Sequence, residues 1–96
     1  MNDFRLKIQY SKRVDKFLVK NSAVIMKDHV RNAVISAVKK ILKIEDNNID
    51  VIQLSGALRG SCRIRTGKIR IIFELIQEET YVAFVDKVFF RKDAYR

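Results

Sequence analysis

The sequence predicts an α+β fold, in the order β-α-α-β-β-β, with a helical hairpin packed on one face of a small antiparallel sheet. Three observations predict it. Apolar and polar residues alternate near the start, and the middle carries apolar residues at three- and four-residue intervals. The last third holds short apolar runs divided by tight-turn residues.

Taken in order, Phe4-Arg5-Leu6-Lys7-Ile8-Gln9-Tyr10 alternates with the period of a strand that buries one face. Ser11 is placed to cap a short helix running to about residue 20, with Val14, Phe17 and Leu18 on one side. Asn21-Ser22 reads as a break and a fresh cap, followed by a long helix over about 23–44. Its inward stripe is Met26, Val30, Ala33, Val34, Ala37, Val38, Ile41 and Leu42, while Lys27, Arg31, Lys39, Lys40 and Lys43 fall outside it. Glu45-Asp46-Asn47-Asn48 is a polar turn. A short strand is expected at about 51–54. The segment 58–65 then leads into the turn Thr66-Gly67-Lys68, and strands follow at 69–76 and 80–85. The last of these is apolar on both faces, as at the centre of a sheet covered on both sides.

The chain of 96 residues, 48% hydrophobic, is sized for one domain spanning 1–96. Its apolar runs are too short to span a bilayer, and the opening residues carry no basic segment followed by an apolar block. The single cysteine, Cys62, can form neither an internal disulfide nor a cysteine zinc site, so a cytoplasmic protein is expected. The formal charge of +9 is the informative bulk number. Such a field attracts polyanions, because bound cations release the counterions condensed on phosphate chains. Nucleic acid, an acidic membrane surface or an acidic protein all satisfy it.

The hairpin 62–73 narrows that choice. With a two-residue loop, directly paired positions sum to an odd number. Cys62, Ile64, Ile69, Ile71 and Phe73 then share the apolar face, and Arg63, Arg65 and Arg70 share the other. Like charges crowded on a sheet repel, and an anionic ligand would account for keeping them; a solvated strand face accounts for them equally well. The terminal Arg91-Lys92-Asp93-Ala94-Tyr95-Arg96 would set Arg91 and Tyr95 on one helical turn, able to clamp a phosphate and stack a base. Other residues offer less. His29 is the only histidine and cannot supply an acid–base pair by itself. Asp46 and Asp50 read as loop carboxylates without a metal-binding pattern, and Cys62 reads as a small core residue.

Gln53-Leu54-Ser55-Gly56, Arg63-Ile64-Arg65, the run from Gly67 to Glu74 through Arg70, and Arg91-Lys92-Asp93-Ala94-Tyr95 together resemble the RelE/ParE toxin superfamily of type II toxin-antitoxin systems, and most of all its RelE branch. The resemblance spans essentially the whole chain. It implies a toxin that enters the ribosomal A site and cuts messenger RNA without a metal or other cofactor, the 2′-hydroxyl attacking the adjacent phosphate. Cations that stabilise the charged transition state suit such a reaction. By motif, the catalytic set would be Arg65, Arg70, Arg91 and Tyr95, with Arg91 tied to leaving-group protonation and Tyr95 to base stacking. Arg63, Lys68 and Arg96 would contact RNA. The partners implied are the ribosome, messenger RNA and a cognate antitoxin protein, with no role for a membrane. This chain has arginine at two positions where relatives often carry lysine, and Phe89-Phe90 where many carry glycine followed by histidine or lysine. Arginine stays protonated, so neither Arg63 nor Arg65 is a general base. The same resemblance leaves open a ParE-like gyrase inhibitor, and an inactive module that binds nucleic acid or antitoxin.

Overall fold

A computed structural model describes residues 5–54 and 60–93. It contains β1 (Leu6–Tyr10), α1 (Lys12–Lys20), α2 (Lys27–Ile41), β2 (Asp50–Gln53), β3 (Ser61–Thr66), β4 (Ile69–Gln77) and β5 (Tyr81–Phe90), closed by a 3-10 turn, Arg91–Asp93. The α+β class is as expected, with two helices on a five-stranded sheet of order β1-β5-β4-β3-β2. Two details differ from the sequence reading. The segment 61–66 is a full strand, which adds one strand to the anticipated order. The sheet is also mixed, because β1 runs parallel to β5 while every other pair is antiparallel. Pairing between the first and last strands depends on which sheet edge the β2–β5 meander leaves open, and no local pattern carries that information.

The first helix begins as its sequence dictates. Ser11 sits in extended backbone (φ −67°, ψ 161°) and its hydroxyl accepts the Val14 amide at 3.2 Å. Val14 and Leu18 are buried, and the Phe17 ring lies 5.2 Å from that of Phe90. The second helix starts four residues later than expected, at Lys27. The Asn21 carbonyl accepts the amides of both Val24 and Ile25, at 2.9 and 2.8 Å, and Ile25 is buried. The chain is thereby tied back to the end of α1. Met26 becomes a cap residue without a side-chain bond and is 68% exposed, so it does not belong to the inward stripe. Val30, Ala33, Val34, Ala37 and Val38 do face inward as predicted. The helix stops at Ile41, with Lys43 in the left-handed region at φ 60°. Amides of Lys43 and Ile44 bond back to the carbonyls of Lys40 and Lys39, a Schellman closure.

On the sheet, Cys62, Ile64, Ile69, Ile71 and Phe73 are all buried against the helices. The hairpin register is Thr66↔Ile69, Arg65↔Arg70, Ile64↔Ile71 and Cys62↔Phe73, which leaves the two-residue loop Gly67-Lys68. Gly67 has φ +56°, as the first loop residue of a type II′ turn requires. Strand β5 runs to Phe90, five residues beyond its predicted end. Asp86-Lys87 reads as the end of an apolar run, yet the strand continues because a bulge absorbs Asp86 between Lys87, opposite Ile72, and Val85, opposite Phe73. The Asp86 carbonyl, lost to the ladder, accepts the Ser11 hydroxyl at 2.8 Å and the Arg13 Nε at 2.9 Å. Arg13 also pairs with the Asp86 carboxylate at 2.8 Å. The same residues that start α1 therefore fasten it to the bulge. Among the described residues both helices lie on one face of the sheet, while on the other Val82 is buried and Phe84 and Phe89 are half-buried. Among the described residues no helix is long and apolar enough to cross a membrane.

Candidate nucleic-acid interface

The open face follows from strand parity. With Cys62, Ile64, Ile71 and Phe73 inward, Arg63, Arg65, Arg70, Ile72 and Glu74 point outward. The registers then define cross-strand rows. Asp50, Arg65, Arg70 and Phe89 form one, and Ile52, Arg63, Ile72 and Lys87 form the next. The three hairpin arginines predicted to cluster do share one face. Arg65 and Arg70 are directly opposed, at a separation where like charges repel.

Each cation is held differently. Arg65 is exposed. Arg70 bends toward the turn, its Nη1 donating to the carbonyls of Ile69 at 3.0 Å and Gly67 at 3.4 Å. Arg63 lies half-buried between Ile52 and Ile72, and its Nε is buried without a hydrogen-bond partner. An unmet buried donor is costly in stability. The ion pairs between described residues, Arg13–Asp86 and Lys39–Glu45, leave these three arginines uninvolved.

Two neighbours on this face escaped the sequence reading. Lys87 and Phe89 extend the rows of Arg63 and Arg70, and the Lys87 Nζ lies 5.1 Å from the centre of the Phe89 ring. Ending β5 at residue 85 puts both in a loop; the motif comparison marked position 89 but not its place in the Arg70 row, which the bulge register supplies. Asp50 is a second correction. It opens β2 directly across from Arg65 on the open face, and is not a loop carboxylate.

Lys68 and Arg91 come together elsewhere. The Arg91 amide donates to the Lys68 carbonyl at 2.7 Å, and both residues line a cleft of about 440 Å³ with Val24, Phe90 and Lys92. This cleft sits by the hairpin turn on the side of Val24 and the core-facing Phe90, and none of Arg63, Arg65 and Arg70 lines it. The lone histidine, His29, is exposed on α2 and shares a hydrogen bond of 3.3 Å with Thr66 Oγ1. Cys62 is a core residue, and burial pushes its thiol above the ordinary 9.0. Tyr95 and Arg96, together with Phe4 and the Ser55-Gly56 part of the motif, lie outside the described residues.

The face thus offers guanidiniums for phosphates and a half-exposed aromatic ring beside Arg70, the combination that holds a single strand by its backbone while stacking a base. No family model matches the chain, and no curated protein matches it. Similarity to solved structures is found. A chain in the crystal structure of the RelB-RelE antitoxin-toxin complex from Methanococcus jannaschii has a TM-score of 0.49 and 21% identity, over 91% of this chain and 94% of that one.

Proposed function

We propose that this protein is a toxin of a type II toxin-antitoxin system that binds messenger RNA on the open sheet face and cuts it on the ribosome. The observation that carries the reading is the row pair of Arg63, Arg65 and Arg70 beside Phe89, on the face opposite the two described helices. The ordered motif resemblance supplies the RNase branch, the antitoxin partner and the cytoplasmic setting.

In this reading the 2′-oxygen attacks the neighbouring phosphorus and the bond from phosphorus to the 5′-oxygen breaks, giving a 2′,3′-cyclic phosphate and a free 5′-hydroxyl. The 2′-hydroxyl loses a proton and the leaving oxygen gains one. Arg65 and Arg70 neutralise the charge that builds on the phosphate oxygens. They cannot accept the proton. We assign that task to Asp50, the residue registered across from Arg65. Arg91 serves the leaving group, Tyr95 stacks a base, and Arg63, Lys68 and Arg96 steer the strand.

The test is induced expression followed by mapping of messenger 5′ ends, for the wild type, Arg70→Ala, Arg91→Ala and Asp50→Asn. Codon-phased cuts that vanish in the variants support the reading. Growth arrest with intact messengers and relaxed plasmid supercoiling would replace it with gyrase inhibition. Absence of toxicity would leave a binding module.

A further inference from the structure

We infer that Lys87 is the proton donor to the leaving 5′-oxygen, standing across the arginine pair from Asp50. The inference rests on the open face being a site of RNA cleavage and supplies the acid for that step.

A donor is required on this face. When the bond from phosphorus to the 5′-oxygen breaks, that oxygen departs as an alkoxide unless a proton reaches it, and a positioned acid speeds such a step by about 10²–10⁴-fold. Guanidiniums neutralise charge but do not release a proton. Arg65, Arg70 and Arg91 are therefore no proton source, and Arg91 lines the cleft on the Val24 side. His29 belongs to α2 and bonds Thr66 on the helix side of the sheet. Lysine differs, because its ammonium can pass a proton on and remain as a neutral amine.

Lys87 is the lysine that the fold delivers to the arginine rows. The β-bulge sets Lys87 opposite Ile72 and Phe89 opposite Arg70. Lys87 is exposed, and the ion pairs between described residues, Arg13–Asp86 and Lys39–Glu45, leave it uninvolved. Lys7 of β1 faces the same way, but it is registered with Val82 and Ile76, two rows beyond Lys87. One row is two residues of β5, about 7 Å. The Lys87 stem leans across that step, with Nζ 5.1 Å from the centre of the Phe89 ring, within the reach of a cation–π contact. The ammonium is thereby held at the β5 end of the row Asp50, Arg65, Arg70 and Phe89.

The order along that row fits the chemistry. An in-line displacement puts the entering and leaving oxygens on opposite sides of phosphorus, so base and acid must flank the phosphate. Asp50 holds the β2 end and the Lys87 ammonium the β5 end, with Arg65 and Arg70 between them for the remaining phosphate oxygens. The end strands lie three strand spacings apart, about 14 Å. A hydrogen bond at each end takes about 3 Å, and the phosphate and two side-chain stems fill the rest. As the 2′-oxygen bonds to phosphorus, its proton passes to the Asp50 carboxylate. The bond from phosphorus to the 5′-oxygen breaks, and a proton from Lys87 Nζ completes the 5′-hydroxyl. Protonated Asp50 and neutral Lys87 then exchange protons with water, so neither is consumed.

Single-turnover cutting of a ribosome-bound messenger by the full chain tests the assignment, at the cut site that messenger mapping identifies. One messenger carries the natural linkage there, and a second has sulfur in place of the bridging 5′-oxygen. Sulfur departs as a stable thiolate and needs no acid. Lys87→Met and Lys87→Arg should cut the natural linkage about 100-fold more slowly than the wild type, and the sulfur linkage at the wild-type rate. Arg70→Ala should be slow on both, because its charge acts on the non-bridging oxygens. Undiminished cutting of the natural linkage by Lys87→Met overturns the proposal. So does slow cutting of the sulfur linkage by both Lys87 variants, which would leave Lys87 a charge that steers the strand. A wild type that cuts neither messenger would overturn the RNA-cleavage reading itself, and the assignment with it.

Discussion

Arg63→Met should stabilise the fold and weaken RNA binding together. The Arg63 Nε is buried with no acceptor, between Ile52 and Ile72 in its cross-strand row. A buried donor left unmet costs about 1–3 kcal/mol. Because Arg63 is only half-buried, its terminal nitrogens keep much of their hydration, so we expect a gain of about 1 kcal/mol from methionine, which fills the same stem volume. The binding side follows from counterion release at roughly 0.7 per phosphate neutralised on a single strand. If Arg63, Arg65, Arg70 and Lys87 each meet one phosphate, the slope of log affinity against log salt is about −2.8 for the wild type and about −2.1 for the variant. Between 50 and 200 mM salt the wild type then loses about 50-fold in affinity and the variant about 20-fold. Urea unfolding and fluorescence anisotropy with a labelled single-stranded RNA measure the two halves. A destabilised variant would show that the guanidinium is satisfied in solution, and an unchanged slope would remove Arg63 from the interface. Either result refutes the reasoning.

Three other outcomes test the local physics. Lys43→Gly should stabilise by about 0.5–1 kcal/mol in urea unfolding, because Lys43 holds φ 60° at the end of α2 and glycine adopts it freely. Ser11→Ala should destabilise by about 1–2 kcal/mol, since one hydroxyl both caps α1 and bonds the bulge carbonyl of Asp86; a loss under 0.3 kcal/mol would dismiss that coupling. Stability should fall as pH rises through about 9. Burial holds the folded Cys62 thiol above 9.0, so the unfolded chain deprotonates first and gains relative to the native state. Tyr10, raised above 10.0 by burial despite the nearby Arg31, extends the decline in the same direction. Cys62→Ala should delay its onset, read from urea midpoints at stepped pH.

Where neighbours along the chain carry the information, the sequence was enough. Strict alternation placed β1, the Ser11 cap placed α1, and the parity about Gly67-Lys68 separated the buried Cys62, Ile64, Ile69, Ile71 and Phe73 from Arg63, Arg65 and Arg70. Those are local periods, fixed by backbone geometry and by the need to bury one face. Longer-range bonds decided what local patterns left open. The Asn21 carbonyl moved the start of α2 and put Met26 in solvent. Ser11 and Arg13, more than 70 residues away in the chain, satisfied the Asp86 bulge and let β5 run on to deliver Lys87 and Phe89 to the arginine face. Tertiary structure alone paired β1 with β5. Hydrophobic period is written residue by residue, whereas strand order and edges depend on which distant partner remains available once the rest of the sheet has closed.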